Sequence, residues 1–331
     1  MHTLNLRRVT LEQTYLPYRH PLAISRGVVT GETVIAVAIH EAGASGRGEA
    51  CPSLRYGETP ASALAAIERL VPALEEGLDR AELQQQLPPG AARNAVDCAL
   101  WDLEAKRAGK RVWELAGLPT PGFILSAQTI GVDTPDAMAA RARLARSPLL
   151  KLKLAGDGDI ERVSAVRAAV PAARLIVDAN EAWTPAQFES FPPLLAGLGV
   201  ELIEQPLPAG RDDRLGTVLC PIALAADESF HDTSMIHAVL GKYQCINIKL
   251  DKTGGLTEAL RARRVAQEKG LRVMVGCMGG TSLAMAPALL VAQDEATVAD
   301  LDAPLLLVRD CAAGLSYEQG VIGPYPSELW G

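Results

Sequence analysis

The chain is short of positive charge: it carries 32 Lys and Arg against 39 Asp and Glu, a formal net charge of −7. That balance gives no general attraction for nucleic acid or for an anionic membrane surface, so neither is expected as a partner. A small acidic substrate is still allowed, because it needs only one local cationic pocket. Paired cysteines are also lacking. Cys51, Cys98, Cys220, Cys245, Cys277 and Cys311 are scattered with no C-x-x-C pair, which suggests reduced thiols in a cytoplasmic protein, mostly core filler. No segment approaches the ~20 apolar residues of a membrane span. The Arg pair near the N-terminus is followed by no apolar stretch of signal-peptide length. Low-complexity stretches, an internal sequence repeat and a clear flexible linker are missing too.

What is present is material for a large core, with 331 residues of which 48% are apolar. The first part reads as strands and then helices. TLNLRRVTLEQ and GETVIAVAIHEAG are strand candidates, and PYRHPLAISRGVVTG, with its Pro and Gly, reads as a mobile loop between them. ASALAAIERLVPALEEGL and AARNAVDCALWDLEAKRAG carry apolar positions at helical spacing, with Val96, Leu100 and Leu103 on one face and Gly109 as C-cap. From about residue 123 short apolar runs alternate with Ala/Arg/Glu-rich helical stretches. Eight such runs suggest a parallel barrel covered by helices, with an open doubly wound sheet as the alternative.

Five charged positions recur along that second part in the order base, acid, acid, acid, base. They are Lys151-Leu152-Lys153, Asp178, Glu204, Asp227 and Lys249, and from Lys153 onward they are separated by 25, 26, 23 and 22 residues. That is close to one strand-plus-helix unit, and each member ends an apolar run, so all would gather at one mouth of a barrel. Lys151 and Lys153, at i and i+2, share a strand face. The three acids, with no His or paired Cys nearby, suit a hard ion: Mg²⁺, or Mn²⁺ as the alternative, rather than Zn²⁺. A divalent ion and a lysine suit the enediolate formed when a proton is removed α to a carboxylate. Lys151 and the metal would lower the pKa of Lys153 toward that of a base. Lys249, four strands away in an eight-strand circle, should face Lys153. One base on each side of a carbon is what inversion of a stereocentre requires.

With KLKL, VDANEAW, IEQPLP, ADES and NIKLDKTGG in hand, the chain resembles the enolase superfamily over nearly its whole length. Within it the similarity is to the muconate lactonizing enzyme subgroup. Strand seven ends in GCMGG without a His, so the His–Asp base of the mandelate racemase subgroup is absent. The resemblance implies a modified (β/α)8-type barrel, (β/α)7β, over residues 119–303. An α+β capping domain, 1–118, would be completed by a returning segment, 304–331.

The chain is more similar still to the L-Ala-D/L-Glu epimerases, dipeptide epimerases of murein-peptide metabolism, on the strength of Asp300-Leu301-Asp302 at strand eight. In those enzymes such a pair binds the free α-ammonium of the substrate. The resemblance further implies Mg²⁺ on Asp178, Glu204 and Asp227, and Lys151 stabilising the enediolate. Lys153 and Lys249 would exchange protons on opposite faces, and Arg26 would receive the glutamate side-chain carboxylate. RYGET, with Tyr56, resembles a second cap loop over the site; Thr129 would bond the substrate; Cys277, near a strand end, would line the pocket or pack in the core, and Met278 beside it would line the pocket. The partner implied is a small dipeptide, and a homo-oligomer is allowed. Alternatives are other dipeptides, or N-succinylamino acid racemase and o-succinylbenzoate synthase chemistry. The last two substrates carry no ammonium for Asp300 and Asp302 to bind. A silent, ligand-binding relative would be expected to have lost a lysine or an acid, and none is missing.

Overall fold

The structure, a computed structural model, describes residues 7–145, 147–294 and 297–331. The start of the first strand expectation, residues 3–6, lies outside them. β1 (Arg8–Ile24) and β2 (Gly27–Glu41) form an antiparallel hairpin, and β3 (Ala44–Ala50) pairs with β2. The loop expected over PYRHPLAISRGVVTG is therefore corrected: pairing resumes at Leu22↔Val29 and runs to Ile24↔Gly27, leaving a turn at Ser25-Arg26. The two prolines, Pro17 and Pro21, only interrupt the ladder, with an irregularity between Pro17 and Leu22. β1 is an outer strand of the three, where a missing N–H is tolerated.

Three longer helices follow: α1 (Pro60–Glu75), capped by the Thr59 side chain; α2 (Arg80–Gln86), capped by Asp79; and α3 (Ala91–Ala108), closed by Gly109 at φ 61. α2 lies in the stretch that reads as helical but is not marked as a helix of its own, and of its short run only Leu83 is buried. α3 is buried on nearly every side, beyond its Val96–Leu100–Leu103 stripe. It is wedged between β3 and the second part of the chain. Gly46 and Gly48 let the helix backbone approach, since a Cβ on Gly48 would lie 2.1 Å from the Ala95 carbonyl. On its other side Arg93 donates to the Thr253 carbonyl at 2.6 Å, Asn94 to Asp251 at 2.9 Å, and Asp97 accepts from Thr257. Buried polar groups on this helix are thus partnered, as burial requires.

After β4 (Ile124–Leu125) come eight parallel strands: β5 (Gln128–Ile130), β6 (Leu149–Lys153), β7 (Arg174–Asp178), β8 (Val200–Glu204), β9 (Ala223–Ala226), β10 (Cys245–Ile248), β11 (Arg272–Gly276) and β12 (Val298–Asp300). They are hydrogen-bonded in that order. The ring closes where Ala127 N–H donates to the Ala299 carbonyl at 2.8 Å and Ser126 bridges Ala299. This is a barrel and not an open sheet.

Strand alternation sorts its interior into layers. The inward residues nearest the strand starts are Ala127, Leu149, Ile176, Leu202, Ala225, Cys245 and Met274, a separate apolar cluster that fills the floor. The next inward positions carry charge on four adjacent strands, as Lys151, Asp178, Glu204 and Asp227, while Thr129, Asn247 and Gly276 stand at the same level on three others. Between the strands, helices bury the outer faces in a continuous core.

No full helix follows β12. The chain instead forms the hairpin β13 (Tyr317–Glu318) and β14 (Val321–Ile322), which pairs with β4. It then returns to the first part: Trp330 Nε1 donates to the Arg47 and Cys98 carbonyls, and Gly331 N–H to Asp102. Among the described residues no helix is long and apolar enough to cross a membrane.

Candidate active site at the barrel mouth

The charged residues above the floor lie where alternation and register put them. Lys153 is paired in register with Asp178, and Asp178 with Glu204. Asp227 and Lys249 stand one residue past β9 and β10, and Asp302 two past β12. A cleft of about 180 Å³ opens above them. It is lined by Lys151, Lys153, Asp227, Lys249, Asp300 and Asp302, and by Arg26, Tyr56, Thr129, Cys277 and Met278. Asp178 and Glu204 lie beneath, fully buried. A roomier cleft near Phe123 and Tyr317, about 780 Å³, holds none of these lysines or acids, so size does not mark the chemistry.

The side chains form opposed pairs. Lys151 Nζ is 2.7 Å from Asp300 Oδ2, 2.7 Å from Glu204 Oε2 and 3.2 Å from Asp178 Oδ2. Lys153 bonds Asp178 at 2.7 Å and Lys249 bonds Asp227 at 2.7 Å. Burial disfavours the Lys151 ammonium, but Asp300, Glu204 and Asp178 outweigh it and hold the group well above its ordinary value. Lys249 follows the same pattern, with Asp227 outweighing burial. Burial likewise opposes ionisation of Asp178 and Asp227, yet their lysine neighbours hold both below the usual carboxylate range. Glu204 goes the other way: burial and the charge of Asp178 push it up to about 7 against the pull of Lys151. Asp302 also rises to about 7, through burial and repulsion from Asp300.

Three buried carboxylates on neighbouring strands, with no nitrogen or sulfur donor among them, suit a hard divalent cation. Glu204 Oε2 has no hydrogen-bond partner; its contact with Lys151 is an ion pair without hydrogen-bond geometry. Among the described residues no three acids, histidines or cysteines converge on one point. The carboxylates are turned onto lysines, and a divalent ion would have to draw them off.

Several placements go beyond the sequence reading. Thr129 is held by Asp302, through its N–H at 2.7 Å and its hydroxyl at 3.2 Å, so its hydroxyl is already engaged. Tyr56 packs edge-on against His231, with ring centroids 4.6 Å apart. Lys252 bonds Asp227 Oδ1 at 2.6 Å and the Asn247 carbonyl at 3.0 Å, and Asn247 Nδ2 bonds Glu204 at 2.7 Å. Asn247 could have been found, being two residues before Lys249 on one strand face; Lys252 lies on a helical turn and gave no such signal. At the inward position of β11, Gly276 leaves room for Lys249 to lie across the mouth. A Cβ there would come within 3.1 Å of Lys249 Cε and 2.8 Å of Asn247 Oδ1. Asn180, Glu181 and Gln205, just past β7 and β8, have φ of 43, 68 and 34. Such backbone costs roughly 1–3 kcal/mol per residue and persists where the surroundings hold it. Gln205 Oε1 accepts from the N–H groups of Asp227 and Ser229, tying the β8 turn to the β9 turn.

The family model for the mandelate racemase / muconate lactonizing enzyme N-terminal domain matches residues 7–117, and that for the enolase C-terminal domain-like fold matches residues 136–321. The chain belongs to the enolase superfamily. Among its enolase-superfamily relatives is the L-Ala-D/L-Glu epimerase of Escherichia coli K12, 46% identical over 318 residues, 95% of this chain and 99% of that one. An N-acetyl-D-glutamate racemase of Pseudoalteromonas is 42% identical over 90% of this chain and 95% of its own. A solved enolase family member from Agrobacterium tumefaciens with homology to dipeptide epimerases, with sodium and L-Ala-L-Glu bound, superposes with a TM-score of 0.95. It is 47% identical over 98% of this chain and 100% of its own. Other solved dipeptide epimerases of this fold hold Mg and a dipeptide.

Proposed function

We propose that this chain epimerises L-Ala-D/L-Glu at the glutamate α-carbon, by two-base proton transfer through an enediolate. The observation that carries the reading is the cleft itself. Lys153 on β6 and Lys249 at the end of β10 enter it from strands four apart in a ring of eight, with Asp300 and Asp302 as a third wall. Asp178, Glu204 and Asp227 would hold Mg²⁺, with Mn²⁺ as the alternative. When bound, that ion supplies charge stabilisation to the substrate α-carboxylate and competes with the lysines for the three acids. Lys151, kept charged by its three acids, would stabilise the enediolate oxygens. Lys153 and Lys249 would each remove or return a proton on one face.

Asp300 Oδ1 is buried without a hydrogen-bond partner, which favours a cationic ligand such as an α-ammonium. This sets the dipeptide ahead of an N-acyl glutamate, the second reading that the Pseudoalteromonas relative brings. Release of murein dipeptides for recycling in the cytoplasm would supply the substrate, and six free cysteines agree with that compartment.

Arg26 is assigned to the glutamate side chain. Arg26→Ala should lower kcat/KM for L-Ala-L-Glu by roughly 10–100-fold, the worth of a charge-assisted hydrogen bond. The loss on L-Ala-L-Leu should be far smaller. Steady-state kinetics on both dipeptides check this, and equal losses would remove Arg26 from side-chain recognition.

A further inference from the structure

Arg26 stands at the turn of the β1–β2 hairpin and reaches the barrel with one nitrogen. Its Nη1 donates to Glu228 Oε1 at 2.8 Å and to the Asn180 carbonyl at 3.2 Å, and lies 3.5 Å from Glu181 Oε2. Among the described residues its Nε and Nη2 donate to no protein group, although the side chain lines the cleft. Glu228 is the opposite case. Its side chain is fully buried, its Oε2 has no hydrogen-bond partner, and its ion-pair partner is Arg26. Ser25 Oγ donates to the same Asn180 carbonyl at 2.9 Å, so the hairpin turn is fixed at two adjacent residues. A guanidinium is a rigid planar fork. Holding Nη1 between two acceptors therefore sets the direction in which its other edge points.

We infer that Glu228 is a positioning residue for substrate specificity. It anchors Arg26 through Nη1, so that the free Nε/Nη2 edge is presented to the side-chain carboxylate of an acidic second residue of the dipeptide. This rests on the assignment of Arg26 to that carboxylate. Glu228 itself does not touch the substrate. Its charge keeps a long, flexible side chain aimed, and the hairpin turn at the mouth, before substrate arrives.

The test is a double-mutant cycle on the full chain with Glu228→Gln, which keeps size and acceptor but removes charge, and Arg26→Ala. kcat and KM are measured for L-Ala-L-Glu and L-Ala-L-Leu. Mn²⁺ binding is followed by electron paramagnetic resonance, because Glu228 adjoins Asp227. Glu228→Gln is expected to lose on the order of tenfold more on L-Ala-L-Glu than on L-Ala-L-Leu, mainly in KM. No further selective loss is expected once Arg26 is alanine. Glu228→Asp, which keeps the charge on a shorter stem, should fall between. Equal losses on both dipeptides with weakened Mn²⁺ binding would mean that Glu228 acts through Asp227, and would overturn the inference. So would a selective loss that persists in the Arg26→Ala background. If Arg26→Ala is selective and Glu228→Gln is not, this inference alone fails; if Arg26→Ala is itself unselective, the Arg26 assignment fails with it.

Discussion

Lys153→Ala is expected to abolish epimerisation from both the L-Glu and the D-Glu side, with Mg²⁺ binding retained, and Lys249→Ala is expected to do the same. Each removes one of two proton-transfer groups, and a positioned general acid or base contributes about 10²–10⁴-fold. Inversion uses both in one turnover, as base in one direction and as acid in the other. The loss should therefore appear in kcat for both epimers, at about 10³-fold or more. The two variants should differ in what survives. With one lysine left, the epimer whose α-hydrogen faces it can still exchange that hydrogen with solvent without inverting. Lys153→Ala and Lys249→Ala should thus show slow solvent exchange in opposite epimers. Proton NMR in D₂O reads exchange and inversion together. Epimerisation that survives in either variant within tenfold of the parent would remove the two-base account.

The second large effect belongs to Asp300 and Asp302. Both stand on the inward face at the end of β12, and Asp300 is shared with Lys151 at 2.7 Å. Asp302 is the cleaner probe, because its hydrogen bonds go to Thr129 and not to a lysine. Asp302→Asn keeps the shape and removes the charge that would face an ammonium. Leaving a buried charge unpaired costs about 2–5 kcal/mol, so kcat/KM for L-Ala-L-Glu should fall by roughly 30-fold or more. Activity toward N-acetylglutamate, if any is present in the parent, should not fall with it. The experiment compares kcat/KM for the two compounds before and after the substitution. A parallel loss would mean that the pair serves the fold or Lys151 and does not read the substrate's amine.

The grouping of the lysines and acids at one mouth was legible because two rules act on it without reference to the rest of the molecule. A strand-plus-helix unit of about 25 residues returns the chain to the same end of the barrel, and alternation decides which side chains point inward. The apolar floor under Lys151, Asp178 and Glu204 follows from the same alternation: Leu149, Ile176 and Leu202 stand two residues earlier on the same strand face. The hairpin was not legible in this way. Pro17 and Pro21 look like loop signals, but on an outer strand they cost only a local break in pairing, and the register of Leu22–Ile24 against Gly27–Val29 restores the ladder. α3 carried an amphipathic stripe, yet its polar positions Arg93, Asn94 and Asp97 are buried as well. Their partners, Thr253, Asp251 and Thr257, come from a segment about 160 residues away, and no local pattern encodes that. Lys252 and Glu228 escaped for the same reason. Each is defined by what it touches across the fold: Asp227 for the one, Arg26 for the other.

The most direct test of the central claim, inversion at the α-carbon of a dipeptide with a free amine, is proton NMR in D₂O. L-Ala-L-Glu is incubated with the protein and Mg²⁺, and N-acetylglutamate and N-succinylglutamate are run beside it. The account predicts loss of the glutamate α-proton signal, with α-deuterated glutamate appearing in both the L- and the D-epimer of the dipeptide. No exchange in the dipeptide, with clear turnover of an N-acyl glutamate, would contradict it.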